Sequence, residues 1–174
     1  MKYPKRKPGE SITRRLTRSG IIAAMYVALC LITPFTMSFG PLQFRIAEAL
    51  MLLPLLTVDA VPGLFIGCFL ANILGGGVWF DVVLGSIATL LSAVFAYEWR
   101  ARPLLAAFSP VLFNGLIVGP VVYFAYVHAP GTPVSVNTLL FNMATVSLGE
   151  LGVCYLLGLP LYYVLKRLPE SIFE

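Results

Sequence analysis

The segment GPLQFRIAEALMLL, residues 40–53, places Arg45 and Glu48 between two strongly apolar stretches of the chain. Gly40 and Pro41 predict that this segment begins as a loop between two helices. The rest of the chain is also apolar: 59% of its 174 residues are hydrophobic and 11% are charged, with a mean hydropathy of +0.88. Because soluble proteins carry roughly a quarter charged residues, this composition predicts an all-α integral membrane protein.

Apolar segments along the chain predict six transmembrane helices in one compact bundle. We expect a cytoplasmic tail at residues 1–19 and a single six-helix membrane domain at residues 20–174. The predicted spans are residues 20–35, 46–58, 63–74, 81–97, 103–127 and 136–165. The second span is short, so it must be tilted, buried by its neighbours or continuous with the preceding loop.

The basic residues predict the orientation of the bundle. Of the twelve Lys and Arg residues, seven precede the first span. Four others follow the fourth and sixth spans: Arg100, Arg102, Lys166 and Arg167. Because Lys and Arg are enriched on cytoplasmic flanks, we expect both termini in the cytoplasm and Arg45 alone outside. Arg45 is therefore a candidate for ligand binding, although it can instead pair with Glu48 or a lipid phosphate.

Several function classes receive no support. The net charge of +4 reports membrane orientation and does not indicate nucleic-acid binding. Three cysteines, Cys30, Cys68 and Cys154, lie far apart in apolar runs. We therefore expect them to be small packing residues, and their spacing supports neither a metal site nor disulfides. The single histidine, His128, lies in a predicted outer turn and receives no role. The sequence contains neither an HExxH nor a GxxxxGK[ST] segment. We therefore expect neither an enzyme nor an ATP site, and we expect no cofactor and no metal.

Polar residues within the apolar segments predict a binding pocket in the outer half of the bundle. Besides the Arg45 loop, the candidate residues are Asn72, Asp81, Asn114, Asn142 and Glu150. A carboxylate at the centre of a membrane helix costs about 3 kcal/mol, so Glu150 requires a partner, a water-filled cavity or protonation. Asn142 lies about two turns nearer the surface on roughly the same side. Asp81 can alternatively cap the fourth helix.

The chemistry of this set predicts the kind of ligand. Carboxylates outnumber Arg45, so we expect a flat, hydrogen-bonding and cationic molecule. Four aromatic residues are available as stacking surfaces: Phe44, Trp79, Phe80 and Tyr123.

Small residues on the first helix predict close helix packing. Ala24 and Ala28 lie one turn apart on the same face, a spacing that lets another helix approach closely. On the pattern alone, packing against a helix of the same chain is the commoner use.

A set of motifs resembles the QueT family. They are QFRIAEAL (residues 43–50), GLFIGCFLANILGG (63–76), FDVVLGSIATLL (80–91), FNGLIVGP (113–120) and the pair Gly149 and Glu150. The resemblance implies an S component of an energy-coupling factor transporter, which captures a 7-deazaguanine such as preQ0, preQ1 or queuine from outside. It also implies a location in the bacterial cell membrane and three partner proteins. These are one transmembrane coupling protein, contacted through Ala24 and Ala28, and two cytoplasmic ATPases.

Within that resemblance, ligand chemistry suggests individual roles. Glu150 can accept the ring N–H and the exocyclic amine of a deazaguanine as a bidentate pair. Asp81 or Glu48 can meet the aminomethyl cation of preQ1, while Arg45 stacks on the ligand or tethers Glu48. The three asparagines would bind the carbonyl and the remaining ring nitrogens.

The same residues also allow two other transport functions. The chain can be an S component for another small vitamin, or a solitary proton-coupled transporter in which Glu150 relays the proton.

Overall fold

The computed structural model describes residues 11–33 and 45–169, and the regular elements of this part are all helices. They are α1 (Ile12–Ile32), α2 (Ile46–Leu55), α3 (Ala60–Leu74), α4 (Asp81–Glu98), α5 (Pro103–Val127) and α6 (Val136–Leu165). The predicted all-α class is confirmed. The end of the first predicted span, at residues 34–35, and the loop that carries Phe44 lie outside the described residues.

Four helices, α1, α4, α5 and α6, are long and apolar enough to cross a membrane. The other two are shorter: α2 is a 3-10 helix of ten residues, about 20 Å long, and α3 has fifteen residues, about 22 Å. Because the hydrocarbon core of a bilayer is about 30 Å thick, neither shorter helix crosses it fully on its own. The prediction of six complete spans therefore stays a prediction.

Helix α2 lies at the centre of the bundle and contacts each of the other five helices. Every residue from Ala47 to Leu55 is buried, although Pro54 interrupts its hydrogen bonding. Of the three explanations for a short second span, burial by neighbouring helices is the one observed. The first turn of α2 carries Glu48, and Arg45 directly precedes the helix. Two charged side chains are thus positioned deep inside the bundle.

Helix α1 begins at Ile12, earlier than the predicted span. Ser11 caps it by accepting a hydrogen bond from the backbone N–H of Arg14 at 3.3 Å. Asp59, just before α3, forms ion pairs with Arg15 and Arg18 at 2.9 and 2.8 Å. These contacts hold helical structure through residues that the sequence assigned to the tail. The helix ends before Thr33, whose backbone is extended as expected for a residue that precedes proline.

Helices α1 and α3 pack closely against each other. Asp59, just before α3, contacts the start of α1, and Gly67, in the middle of α3, contacts the middle of α1, so the two helices run parallel. A Cβ atom at Gly67 would lie 2.8 Å from the Cβ of Tyr26 and 3.0 Å from the carbonyl oxygen of Ala23. Such a distance is shorter than real Cβ contacts, so only glycine allows this approach. The first helix therefore packs internally through a face that excludes Ala24 and Ala28, both of which are exposed.

Turns of π-helix interrupt the long helices beside several predicted site residues. Asp81 opens the turn Asp81–Gly85, Asn114 opens Asn114–Val118, and a third turn, Cys154–Gly158, follows Glu150. Such turns insert an extra residue and are frequent at functional sites. They change which residues of α4, α5 and α6 face the bundle centre.

Candidate functional site

All seven predicted ligand-binding residues are buried, each at most 6% exposed. The seven are Arg45, Glu48, Asn72, Asp81, Asn114, Asn142 and Glu150. Burial of so many polar side chains is costly unless they are hydrogen-bonded, so their partners determine what the site can bind.

One group of contacts surrounds Arg45 at the start of α2. Its guanidinium donates to Asp81 on α4 at 3.3 Å and to the sulfur of Cys68 on α3 at 3.8 Å. The amide nitrogen of Asn72 donates to the Asp81 carbonyl oxygen at 3.3 Å and to Cys68 at 3.5 Å. Three helices therefore converge on one buried ion pair.

The same contacts bear on two alternatives from the sequence: pairing of Arg45 with Glu48 or a lipid phosphate, and capping of the fourth helix by Asp81. Arg45 pairs with Asp81, a partner that the sequence did not single out. Asp81 does not cap α4, because Oδ2 accepts from Arg45 and Oδ1 has no hydrogen-bond partner within the described residues. Its carboxylate points into the bundle.

A second group contains the two buried glutamates. Glu150 on α6 accepts a hydrogen bond from the Asn114 amide on α5 at 2.8 Å. Glu48 on α2 accepts from the hydroxyl of Tyr26 on α1. The thiol of Cys154 lies between them, 3.7 Å from the Glu48 carbonyl oxygen and 4.0 Å from Oε2 of Glu150. Both carboxylates are thus held by neutral donors in one region.

Three buried oxygen atoms of these groups have no hydrogen-bond partner within the described residues: Oε2 of Glu48, Oδ1 of Asn72 and Oδ1 of Asp81. All three are acceptors. Leaving a buried polar atom without a partner costs about 1–3 kcal/mol, more if it is charged. The site therefore suits a molecule that presents several hydrogen-bond donors.

The remaining predicted residues are less closely connected to these groups. The side chain of Asn142 donates to the Thr138 carbonyl oxygen within its own helix at 2.8 Å. Tyr123 is buried, and its hydroxyl accepts from the backbone N–H of Ser135 at 2.8 Å, which ties α5 to the start of α6. Trp79 and Phe80 are about two-thirds exposed, at 69% and 67%. These two rings therefore face outward.

An apolar groove of about 350 Å³ lies between α4 and α5. Phe80, Leu84, Pro120, Val121 and Phe124 contribute to its lining. It contains none of the seven predicted ligand-binding residues. Its chemistry suits hydrocarbon, whereas the buried groups around Arg45 and Glu48 suit a polar ligand.

Three contact residues were not predicted as site residues. Tyr26 lies on an apolar helix face, where an aromatic residue looks the same as core. Cys68 and Cys154 were predicted as packing residues, yet their sulfur atoms contact Arg45, Asn72 and Glu150. Neither the spacing nor the composition of their segments signals these contacts. Within the described residues, no cluster of His, Cys, Asp and Glu could hold a metal ion.

Most of the chain matches a known protein family. Residues 16–167 match the family described as QueT transporter. A relative from Lactococcus lactis subsp. cremoris, the queuosine precursor transporter QueT, is 34% identical over 84 residues. That match covers 47% of this chain and 48% of the relative, so it spans about half of the relative's length. No solved structure matches the chain.

Proposed function

Since the chain belongs to the QueT transporter family and is a multi-pass membrane protein, not an enzyme, we propose that it is the substrate-binding subunit of an importer for a queuosine precursor. The substrate class is a 7-deazaguanine: preQ0, preQ1 or queuine. The observation that carries this proposal is that three buried acceptor oxygens, in Glu48, Asn72 and Asp81, have no hydrogen-bond partner within the described residues. A flat base with several hydrogen-bond donors complements such acceptors.

Glu150 is the proposed contact for the guanine-like edge of the base. The Asn114 amide donates to Oε1, but a carboxylate has about four lone-pair positions, so capacity remains for two more donors. The ring N–H and exocyclic amine would bind this carboxylate side by side. Asn114 orients the carboxylate in this arrangement.

Glu48 is the better of the two candidates for the aminomethyl cation of preQ1. Asp81 already has an arginine counter-charge, at 3.3 Å. Glu48 accepts a hydrogen bond from a neutral phenol and has no cation in direct contact within the described residues. A buried anion held this way favours a cationic partner. Asn72 and Asn142 remain proposed contacts for the carbonyl and ring nitrogens, and Arg45 is proposed to anchor this region through Asp81.

The partner proteins belong to the same proposal. Ala24 and Ala28 are exposed on α1, opposite its internal contacts, and would pack against a transmembrane coupling protein. Two cytoplasmic ATPases would supply the energy. In this arrangement all six helices lie in the membrane, and both termini are cytoplasmic because of the basic residues near them.

Uptake by cells tests the complete proposal. Cells without their own uptake of queuosine precursors would express this chain either with the coupling protein and ATPases or without the ATPases. We expect labelled preQ1 to accumulate only when the ATPases are present and can hydrolyse ATP. Equal uptake without them would contradict the subunit assignment and would favour the solitary proton-coupled transporter that uses Glu150.

A further inference from the structure

Tyr26 connects the first helix to the proposed substrate site. Its side chain is completely buried, and its hydroxyl donates to Oε1 of Glu48. The other oxygen, Oε2, has no partner within the described residues. One oxygen of the carboxylate is therefore fixed, and the second remains an open acceptor.

The backbone around Tyr26 limits where its hydroxyl can lie. Gly67 of α3 approaches so closely that a Cβ atom there would lie 2.8 Å from the Cβ of Tyr26. Glu48 is equally constrained, because it lies in the first turn of the central helix α2. Close packing of both elements keeps the hydrogen bond in a single geometry.

The chemistry of this contact differs from that of the contact between Asp81 and Arg45. Asp81 pairs with Arg45, and two opposite charges cancel at short range. A phenol carries no charge, so its hydrogen bond orients the Glu48 carboxyl group without placing a cation against it. The site thus contains one acid in direct contact with an arginine and one acid in direct contact with a neutral hydroxyl group.

We propose that Tyr26 is a positioning residue that fixes Glu48 through Oε1, directs Oε2 to the cationic group of the substrate, and so favours cationic over neutral 7-deazaguanines. This inference rests on the proposed function. It assigns Tyr26 a role through Glu48 and no contact with the substrate itself.

Two ligands that differ mainly in charge test the role. PreQ1 carries an aminomethyl cation, whereas preQ0 carries a neutral nitrile at the same position. Calorimetry would measure both Kd values for the purified wild-type protein and for Tyr26→Phe, which removes one hydroxyl and retains the ring. We expect Tyr26→Phe to weaken preQ1 binding about tenfold and preQ0 binding less than about twofold.

A double-mutant cycle with Glu48→Gln separates positioning from simple packing. Glu48→Gln should lose the preference for preQ1, because it removes the charge that Tyr26 orients. In that background Tyr26→Phe should cause no further selective loss. Tyr162→Phe is the matched control, since Tyr162 is a buried tyrosine on α6 that contacts neither glutamate in the described contacts.

Each outcome has a defined meaning. Equal weakening of both ligands by Tyr26→Phe, or a selective loss that persists in Glu48→Gln, would overturn the positioning role. If Tyr26→Phe yields no folded protein, retention of the preQ1 preference by Glu48→Gln would overturn it independently. Failure of the wild-type protein to bind any 7-deazaguanine would instead reject the proposed function.

Discussion

Glu150 is the proposed contact for the base, and its partner Asn114 orients it through a hydrogen bond. We predict that Glu150→Gln weakens 7-deazaguanine binding at least about tenfold, because one charge-assisted contact is worth roughly 1.5–3 kcal/mol. The glutamine replaces one acceptor oxygen by an N–H₂ group, which meets the ligand donors unfavourably. Calorimetry on the purified variant measures the effect.

Glu98→Gln provides the matched control for that change. Glu98 ends α4 and is exposed, so the same substitution there should leave binding unaltered. Unchanged affinity in a correctly folded Glu150→Gln variant would refute the proposed contact of Glu150 with the base.

At the scale of single residues, the sequence predicted which polar residues are buried better than it predicted which side chains they contact. Asn114 and Glu150 stand out because polar side chains are rare in apolar helices, and the structure joins them at 2.8 Å. The contact of Glu48 with Tyr26 was not predictable, because it joins residues 22 positions apart on separate helices. Likewise, only the folded arrangement shows that Arg45 selects Asp81 over other acids.

At the scale of elements, Asp59 holds the start of α1 against the start of α3. Its carboxylate is buried and binds Arg15 and Arg18, while the Ser19 hydroxyl donates to its backbone carbonyl at 2.8 Å. We predict that Asp59→Asn lowers the free energy of unfolding by about 1–3 kcal/mol, since two cations lose their counter-charge. Thermal unfolding in detergent measures this loss. A melting temperature equal to that of Glu98→Gln would contradict it.

The contact between α5 and α6 depends on small residues. A Cβ atom at Gly119 would lie 2.7 Å from the Met143 Cα atom, which belongs to the backbone and cannot move aside alone. We predict that Gly119→Ala costs about 1–3 kcal/mol through overpacking. Gly20→Ala is the control, because nothing lies within 4 Å of a Cβ atom there. If both variants unfold at the same temperature, the close approach is not needed for stability.

Helix boundaries show what local sequence can predict. The predicted ends of the third, fifth and sixth spans agree with α3, α5 and α6 because glycine, proline and charged turns mark them. The start of α1 was missed, since its stability comes from Ser11 and from the distant Asp59. The central position of α2 was also missed, because it depends on contacts with five other helices that the local sequence does not indicate.

At the scale of the whole molecule, the exposed face of α1 separates substrate binding from assembly. We predict that Ala24→Leu or Ala28→Leu leaves 7-deazaguanine binding intact and prevents copurification with the coupling protein, because a larger side chain blocks close helix approach. Ala129→Leu, an exposed position in the predicted outer loop, should permit assembly. Normal copurification of both α1 variants would show that the coupling protein binds elsewhere.

Binding of 7-deazaguanines to the purified wild-type protein tests the central claim most directly. Calorimetry would compare preQ1, preQ0 and queuine with guanine, riboflavin and thiamine. The buried carboxylates and amide oxygens around α2 predict tight binding of at least one 7-deazaguanine and none of riboflavin or thiamine. Tight binding of a vitamin control without any 7-deazaguanine, or no binding of any compound, would contradict the proposed substrate class.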